Sequence, residues 1–399
     1  MTETSILTNS LPALDRAHLT PLVRELSGSN SLEILDWQIN PIKFTIVNPI
    51  TAGLFRISGT AQENTTISQW SMVLKILHPS AELPEKFWGS VNSAVYLKRE
   101  LLVYRSELKA SLPAGLEMPR LLGVLELPDN TEWLWIEDII DCYPSGWPLE
   151  RYGLAGRHLG LFNGRYLTGL PLPDYAWLTR QFLRGWVGFF TDAPRMQRVR
   201  DPATWDKLLV RAAFPTPIGE RFLNLVAKSD LLIDMVERLP QVFCHMDANC
   251  GNLLARRDAE GHDQTVLIDW ALTGLNGVGC ELGQLIWGAI PNRVLNRDAG
   301  QLESLAFENY MAGLHEAGWS GDATIVRFGY LAYLFCVLGI LRMGRCLDLA
   351  FDEAQHAILE EKQHRPITGI LADEGETVCS LVVRGEEAFR LLDTVSAML

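Results

Sequence analysis

Strand-like and helix-like segments are unevenly distributed along this 399-residue chain, and that asymmetry limits its folds more than any other feature. Between residues 31 and 77 lie LEILDWQI, IKFTIV, GLFRISGT and ISQWSMVLKIL, rich in β-branched and aromatic residues and partly alternating. Asn, Pro, Gly and Thr turns separate them, so they predict an antiparallel meander. RLLGVLEL and TEWLWIEDI follow as two further strands, joined by a Pro-Asp-Asn turn. Between the two groups a helix is expected over 91–109, where Leu97, Leu101, Tyr104 and Leu108 form a stripe. A short amphipathic helix over 17–27 precedes the strands. After about residue 140 the chain reads as helix, over roughly 150–167, 174–190, 203–212, 217–238, 280–290, 300–317, 323–350, 352–362 and 375–397. The exceptions are QVFCHMD and QTVLIDW, which read as short strands around a loop. The expectation is an α+β chain in two lobes. Residues 1–138 would form a small antiparallel-sheet lobe with one main helix, and residues 139–399 a larger helical lobe. WIEDIIDCYPSGWP, about 135–148, would be the hinge, with a ligand cleft between the lobes.

The formal net charge of -13 argues against a nucleic-acid partner, whose binding face should be basic. The cysteine count is odd, at seven, with wide spacing and no CxxC, which points to a reducing, cytoplasmic setting. The first twenty residues lack the basic start and apolar core of a secretory signal. FGYLAYLFCVLGIL, between Arg327 and Arg342, falls short of the ~20 apolar residues that span a bilayer. It is expected to be a buried core helix, and no membrane partner is expected.

One stretch carries chemistry: CHMDANCGNLLARRDAEGHDQTVLIDW, from Cys244 to Trp270. Its carboxylates and carboxamide fit two readings, a hairpin with Asx-type turns or a site for a metal and a phosphate. Phosphoryl transfer needs few parts, because its transition state is loose and the protein mainly positions groups and neutralises charge. It needs oxygen ligands for Mg2+, a cation for the phosphates and a carboxylate beside the attacking hydroxyl. The chain offers Lys75 on a strand, Glu100 on the striped helix, Asp247 and Asn252 in the loop, and Asp269 at the end of the next strand.

HMDANCGN is similar to the kinase catalytic-loop pattern H-x-D-x-x-x-x-N, and LIDW resembles the metal-binding aspartate that follows it. Asp-Trp in place of Asp-Phe-Gly resembles the aminoglycoside phosphotransferase and choline kinase family, the small-molecule branch of the protein-kinase-like fold. VLK, RELLVY and WIEDI match that family's order in the first lobe, and HLGLFNGRYL resembles its early second-lobe helix. The resemblance implies ATP, or GTP, with Mg2+ and a small-molecule hydroxyl acceptor. It implies that Asp247 is the catalytic aspartate, that Asn252 and Asp269 hold the metal, and that Lys75 contacts the phosphates with Glu100 positioning it. His245 would brace the loop, and the backbone from Glu137 to Ile139 would run past the adenine. Glu107 lies on the same helical face as Glu100, so spacing alone does not choose between them; the RELLVY match favours Glu100.

The chain departs from the family pattern in three places. Met246 stands where Gly is usual, Asn163 where many members have His, and the phosphate loop NPITAGLFRIS has one glycine, Gly53. These departures admit a second reading, a catalytically inactive kinase-like binding or regulatory protein. A protein kinase is disfavoured, because Asp-Phe-Gly followed by Ala-Pro-Glu is missing. A soft-metal cluster of Cys244, His245 and Cys250 lacks a fourth ligand at zinc-like spacing. Glu281 in CELGQLIW is read either as a support of the loop or as a favourable charge at a helix start. Of the Trp residues, Trp133, Trp147, Trp270 and Trp287 are candidates to line the cleft.

Overall fold

A computed structural model describes residues 14–42, 50–79, 81, 83–144, 146–191, 194–214, 218–289 and 295–399. Its strands are β1 (Glu33–Pro41), β2 (Thr51–Glu63), β3 (Thr66–Leu77), β4 (Leu116–Glu117), β5 (Leu121–Glu126), β6 (Glu132–Glu137), β7 (Gln241–Cys244), β8 (Leu253–Arg257), β9 (Asp263–Leu267) and β10 (Gly274–Gly277). Five of them form one antiparallel sheet in the order β1-β2-β3-β6-β5.

Alternation in β3 sets what each sheet face touches. Trp70, Met72 and Leu74 enter a core with Phe55, Ile57 and Trp135, closed by Leu19 and Val23 of helix Arg16–Ser27. Fully burying each of those two side chains contributes roughly 2 kcal/mol. That helix has clear ends: the Asp15 carboxylate accepts from the His18 N–H (2.9 Å), and Gly28 takes a left-handed φ of 69°. On the opposite face Val73 and Leu77 pack with Leu97, Leu101, Leu134 and Tyr104. Lys75 has the parity of this second face, which carries helix Arg99–Arg105.

The chain divides into two compact units. The first comprises residues 1–144, 174–179 and 252–272, and the second 145–173, 180–251 and 273–399. The hairpin β8–β9 belongs to the first unit because β9 pairs in parallel with β4, Leu116 opposite Thr265. In the second unit helix Leu149–Leu167 packs on helix Leu295–Glu316 at very short range. A Cβ at Gly160 would lie 2.1 Å from the Tyr310 carbonyl oxygen, and one at Gly313 2.1 Å from that of Arg157. Helix Ala323–Phe351 is long and apolar enough to cross a membrane by length and composition, but 89% of its apolar window is buried inside the protein.

Several expected elements differ in extent. The helix expected over 91–109 is only Arg99–Arg105, followed by a 3-10 turn at Glu107–Ser111. The Arg99 guanidinium takes the carbonyls of Val91, Ser93 and Ala94, which are therefore lost to a helix. The helix expected from 174 begins at Phe182, and the one over 217–238 is two, Ile218–Val226 and Ser229–Arg238. The segment over 203–212 is likewise two short helices, Pro202–Trp205 and Leu208–Ala213. From Lys43 on, the expected strand IKFTIV lies outside the described residues.

Candidate active site

In the first unit, register and alternation aim Lys75 away from the Trp70–Met72–Leu74 core and toward the start of helix Arg99–Arg105. Its Nζ lies 2.6 Å from Glu100 Oε2 and 2.8 Å from Asp269 Oδ1. Glu100 is 1% exposed at its side chain, Lys75 7% and Asp269 33%, so the open member is Asp269. Burial works against the Lys75 ammonium, but the Asp269 and Glu100 carboxylates outweigh it and hold its pKa above the usual range. Burial pushes the Glu100 carboxyl upward against the pull of Lys75. Two carboxylates around one ammonium leave one negative charge in excess. Glu107, the alternative by spacing, is exposed.

Asn252 and Asp269 sit at the same end of the β8–β9 hairpin. Leu253 faces Leu267, and the next rung is a bond from the Ile268 N–H to the Asn252 carbonyl (2.9 Å). Asp269 has a φ of 60°, a left-handed conformation that costs a non-glycine residue about 1 kcal/mol or more. Arg99 fixes the chain just beyond it. Fully buried, its guanidinium donates to the carbonyls of Ala271 (3.0 Å) and Trp177 (2.8 Å) as well as to those of residues 91–94. Burial lowers its pKa to about 10, which leaves it charged at neutral pH. One carboxylate and one carboxamide are hard oxygen donors, the set that suits Mg2+. The residues therefore fit the metal that the family resemblance implies.

In the second unit β7 ends at Cys244 and leads into the loop. Asn163 holds the strand: its Nδ2 donates to the Phe243 carbonyl (2.9 Å), and its Oδ1 accepts from the Tyr310 hydroxyl (2.6 Å). Both ends of the Asn163 carboxamide are thus used. Glu281 accepts the backbone N–H groups of His245 (2.7 Å) and Met246 (3.2 Å), and Gln284 Nε2 donates to the Met246 carbonyl (2.7 Å). Burial pushes the Glu281 carboxyl up to about 7, against the pull of those N–H groups and the Cys244 thiol. Met246 has a φ of 69°, where glycine would meet no Cβ penalty, and its side chain is buried. The buried His245 accepts at Nδ1 from the Asp247 N–H (3.3 Å), so its ring proton belongs on Nε2. Asn249 Nδ2 donates to Asp247 Oδ1 (2.9 Å) and orients that half-buried carboxylate.

Glu137 closes β6. Its N–H donates to the Arg120 carbonyl (3.0 Å), and its carboxylate meets the Arg120 N–H and Arg256. Ile139 is buried two residues further on. Gly53 lies at an irregularity of β2, where its missing side chain makes room for the Phe55 ring. Trp133, Trp147 and Trp270 are buried at 4%, 7% and 1% exposure, which makes them packing residues rather than cleft walls. The Trp287 side chain lies outside the described set. Arg99, Gln284 and Asn249 carry no motif of their own and emerge only from the geometry.

Residues 170–316 match the model of the phosphotransferase enzyme family. The matched segment contains His245, Asp247, Asn252 and Asp269. The resemblance to the aminoglycoside phosphotransferase and choline kinase family therefore holds where the motifs lie. Among solved structures, the chain is similar to an amicoumacin kinase solved with AMP-PNP and Ca2+, at 12% identity over 87% of this chain and 88% of that one, with a TM-score of 0.47. It is similar to an aminoglycoside phosphotransferase from Alicyclobacillus acidocaldarius, at 12% identity over 97% and 98%, with a TM-score of 0.47. A Plasmodium vivax ethanolamine kinase gives 11% identity over 89% and 82%, with a TM-score of 0.45. Likeness at this level carries no residue-by-residue correspondence. A search of curated proteins finds no match.

Proposed function

We propose that the protein is an ATP-dependent kinase of small molecules that moves the γ-phosphoryl group to a hydroxyl, with GTP as the alternative donor. The observation that carries this reading is Lys75 held between Glu100 and Asp269 at 2.6 and 2.8 Å. A cation buried between two carboxylates, one of them the more exposed, is poised to exchange that partner for phosphate oxygens. Glu100 keeps it in place from the buried side. Asn252 and Asp269 would hold Mg2+, which when bound neutralises charge on the phosphates. The backbone from Glu137 to Ile139 would run past the adenine.

Asp247 is assigned to the acceptor. A carboxylate is a weak base at neutral pH, so it mainly orients the hydroxyl and takes its proton late in transfer. Asn249 and His245 hold its carboxylate and backbone in place. The acidic chain supports a small-molecule partner rather than a nucleic acid. The odd number and wide spacing of the cysteines agree with a reducing, cytoplasmic setting.

Asp247→Ala tests the assignment. It should keep Mg2+-nucleotide affinity and lower turnover of a confirmed acceptor by about 10²-fold or more. Unchanged turnover would remove Asp247 from the mechanism. Wild-type protein that binds no nucleotide would favour the inactive, partner-binding reading.

A further inference from the structure

Arg99 is fully buried in the first unit, and each of its five guanidinium N–H groups meets a backbone carbonyl. Nε donates to Trp177 (2.8 Å), Nη1 to Ala94 (2.8 Å) and Ala271 (3.0 Å), and Nη2 to Val91 (3.1 Å) and Ser93 (2.6 Å). No carboxylate is among these partners. A guanidinium taken out of water toward carbonyls alone is a costly way to gain stability. What its planar fork supplies is geometry. It fixes the turn over 91–94, the segment 174–179 and the 3-10 turn Trp270–Leu272 against the start of helix Arg99–Arg105.

These contacts close a ring through the charged residues of the site. Glu100, the next residue in the chain, lies 2.6 Å from Lys75 Nζ, and Lys75 Nζ lies 2.8 Å from Asp269 Oδ1. Two residues beyond Asp269, the Ala271 carbonyl returns to Arg99 (3.0 Å). The link between Lys75 and Asp269 is the one that nucleotide binding would open, because Lys75 then turns to phosphate oxygens. Asp269 has a φ of 60°, a conformation that persists in a non-glycine residue only where the surroundings fix it. On its hairpin side the Ile268 N–H is held by the Asn252 carbonyl (2.9 Å). On its other side the bond from Arg99 to Ala271 remains after Lys75 has left.

We infer that Arg99 is a positioning residue of the metal site: through Ala271 it keeps Asp269 aimed at the metal once Lys75 has exchanged that carboxylate for phosphate. The inference rests on the kinase reading above. Arg99 acts through Asp269 and from a buried position, so its effect belongs to the metal-bound nucleotide and not to the nucleotide alone. Lysine cannot replace it. Lysine carries its three donors on a single nitrogen, which does not span carbonyls on three separate segments.

The test is titration of ATP, with Mg2+ and with EDTA, into full-length wild type, Arg99→Lys, Asp269→Asn and the double variant. Arg99→Lys is expected to lower ATP affinity about tenfold with Mg2+, the worth of one hydrogen bond from a charged donor, and less than about twofold in EDTA. Added to Asp269→Asn, the same substitution should change affinity with Mg2+ by less than about twofold, because it acts through a ligand already lost. A loss of equal size with Mg2+ and in EDTA, or with and without Asp269, is what a merely structural residue gives, and it overturns the inference. So does no loss at all. If Arg99→Lys does not fold, hydrogen exchange on the wild type decides. The amides of 270–272 should already be protected without nucleotide, and Mg2+-ATP should slow them no more than the rest of the first unit. Protection of 270–272 that arises only with Mg2+-ATP means that the metal holds this turn, and it overturns the inference while the kinase reading stands. Wild type that binds no ATP with Mg2+ brings down the kinase reading, and this inference with it.

Discussion

Lys75 shows how much one residue can be asked to do by its neighbours. Truncating it leaves Glu100 buried beside Asp269 with no cation to offset either carboxylate. Lys75→Met should therefore cost about 3 kcal/mol at neutral pH, the usual penalty for breaking a buried ion pair. The cost should shrink as pH falls and the carboxylates are protonated; chemical denaturation at two pH values checks this. A loss independent of pH would mean that packing of the lysine stem, not charge, is what matters. The carboxylates and the carboxamide of the loop are legible in the sequence because their spacing is local, Asp247 to Asn252. Arg99 is not. Its partners are backbone carbonyls as far away in the chain as Trp177 and Ala271, and a carbonyl leaves no mark in a sequence.

At the scale of elements, helix Cys280–Ala289 acts as the brace of the Asp247 loop, through Glu281 on two N–H groups and Gln284 on one carbonyl. The raised carboxyl of Glu281 makes this brace pH-dependent. A group whose folded pKa, about 7, lies above its ordinary 4.5 binds its proton more tightly when folded. Its contribution to stability is full below about pH 4.5 and is lost as pH rises through 7. The stability difference between wild type and Glu281→Gln should accordingly decline over that window; a difference that is flat with pH would place the Glu281 pKa elsewhere. Elements with strong local pattern were legible: the alternation of ISQWSMVLKIL gives β3, Thr66–Leu77. Elements made by distant partners were not. GLNG, the strand β10, has no apolar pattern and exists because it pairs with β7. The stripe at Leu97, Leu101, Tyr104 and Leu108 marks a buried face, but turns before Arg99 and a 3-10 turn after it carry part of that stripe.

For the whole molecule, one assignment gathers the separate observations. The first unit holds Lys75, Glu100, Asn252 and Asp269, and the second holds Asp247 with its brace. The chain passes from one unit to the other between Gly251 and Asn252, inside the motif itself. A motif that spans two folding units is readable as a string, while the packing that makes β8–β9 part of the first unit is not. The central claim is that Asp269 is a metal ligand in a nucleotide site. The direct measurement is calorimetric titration of ATP into wild-type protein and Asp269→Asn, each with Mg2+ and with EDTA. The account predicts binding to wild type that needs Mg2+, and binding to the variant that is weakened with Mg2+ and no different from wild type in EDTA. Equal Mg2+ dependence in both proteins would contradict it.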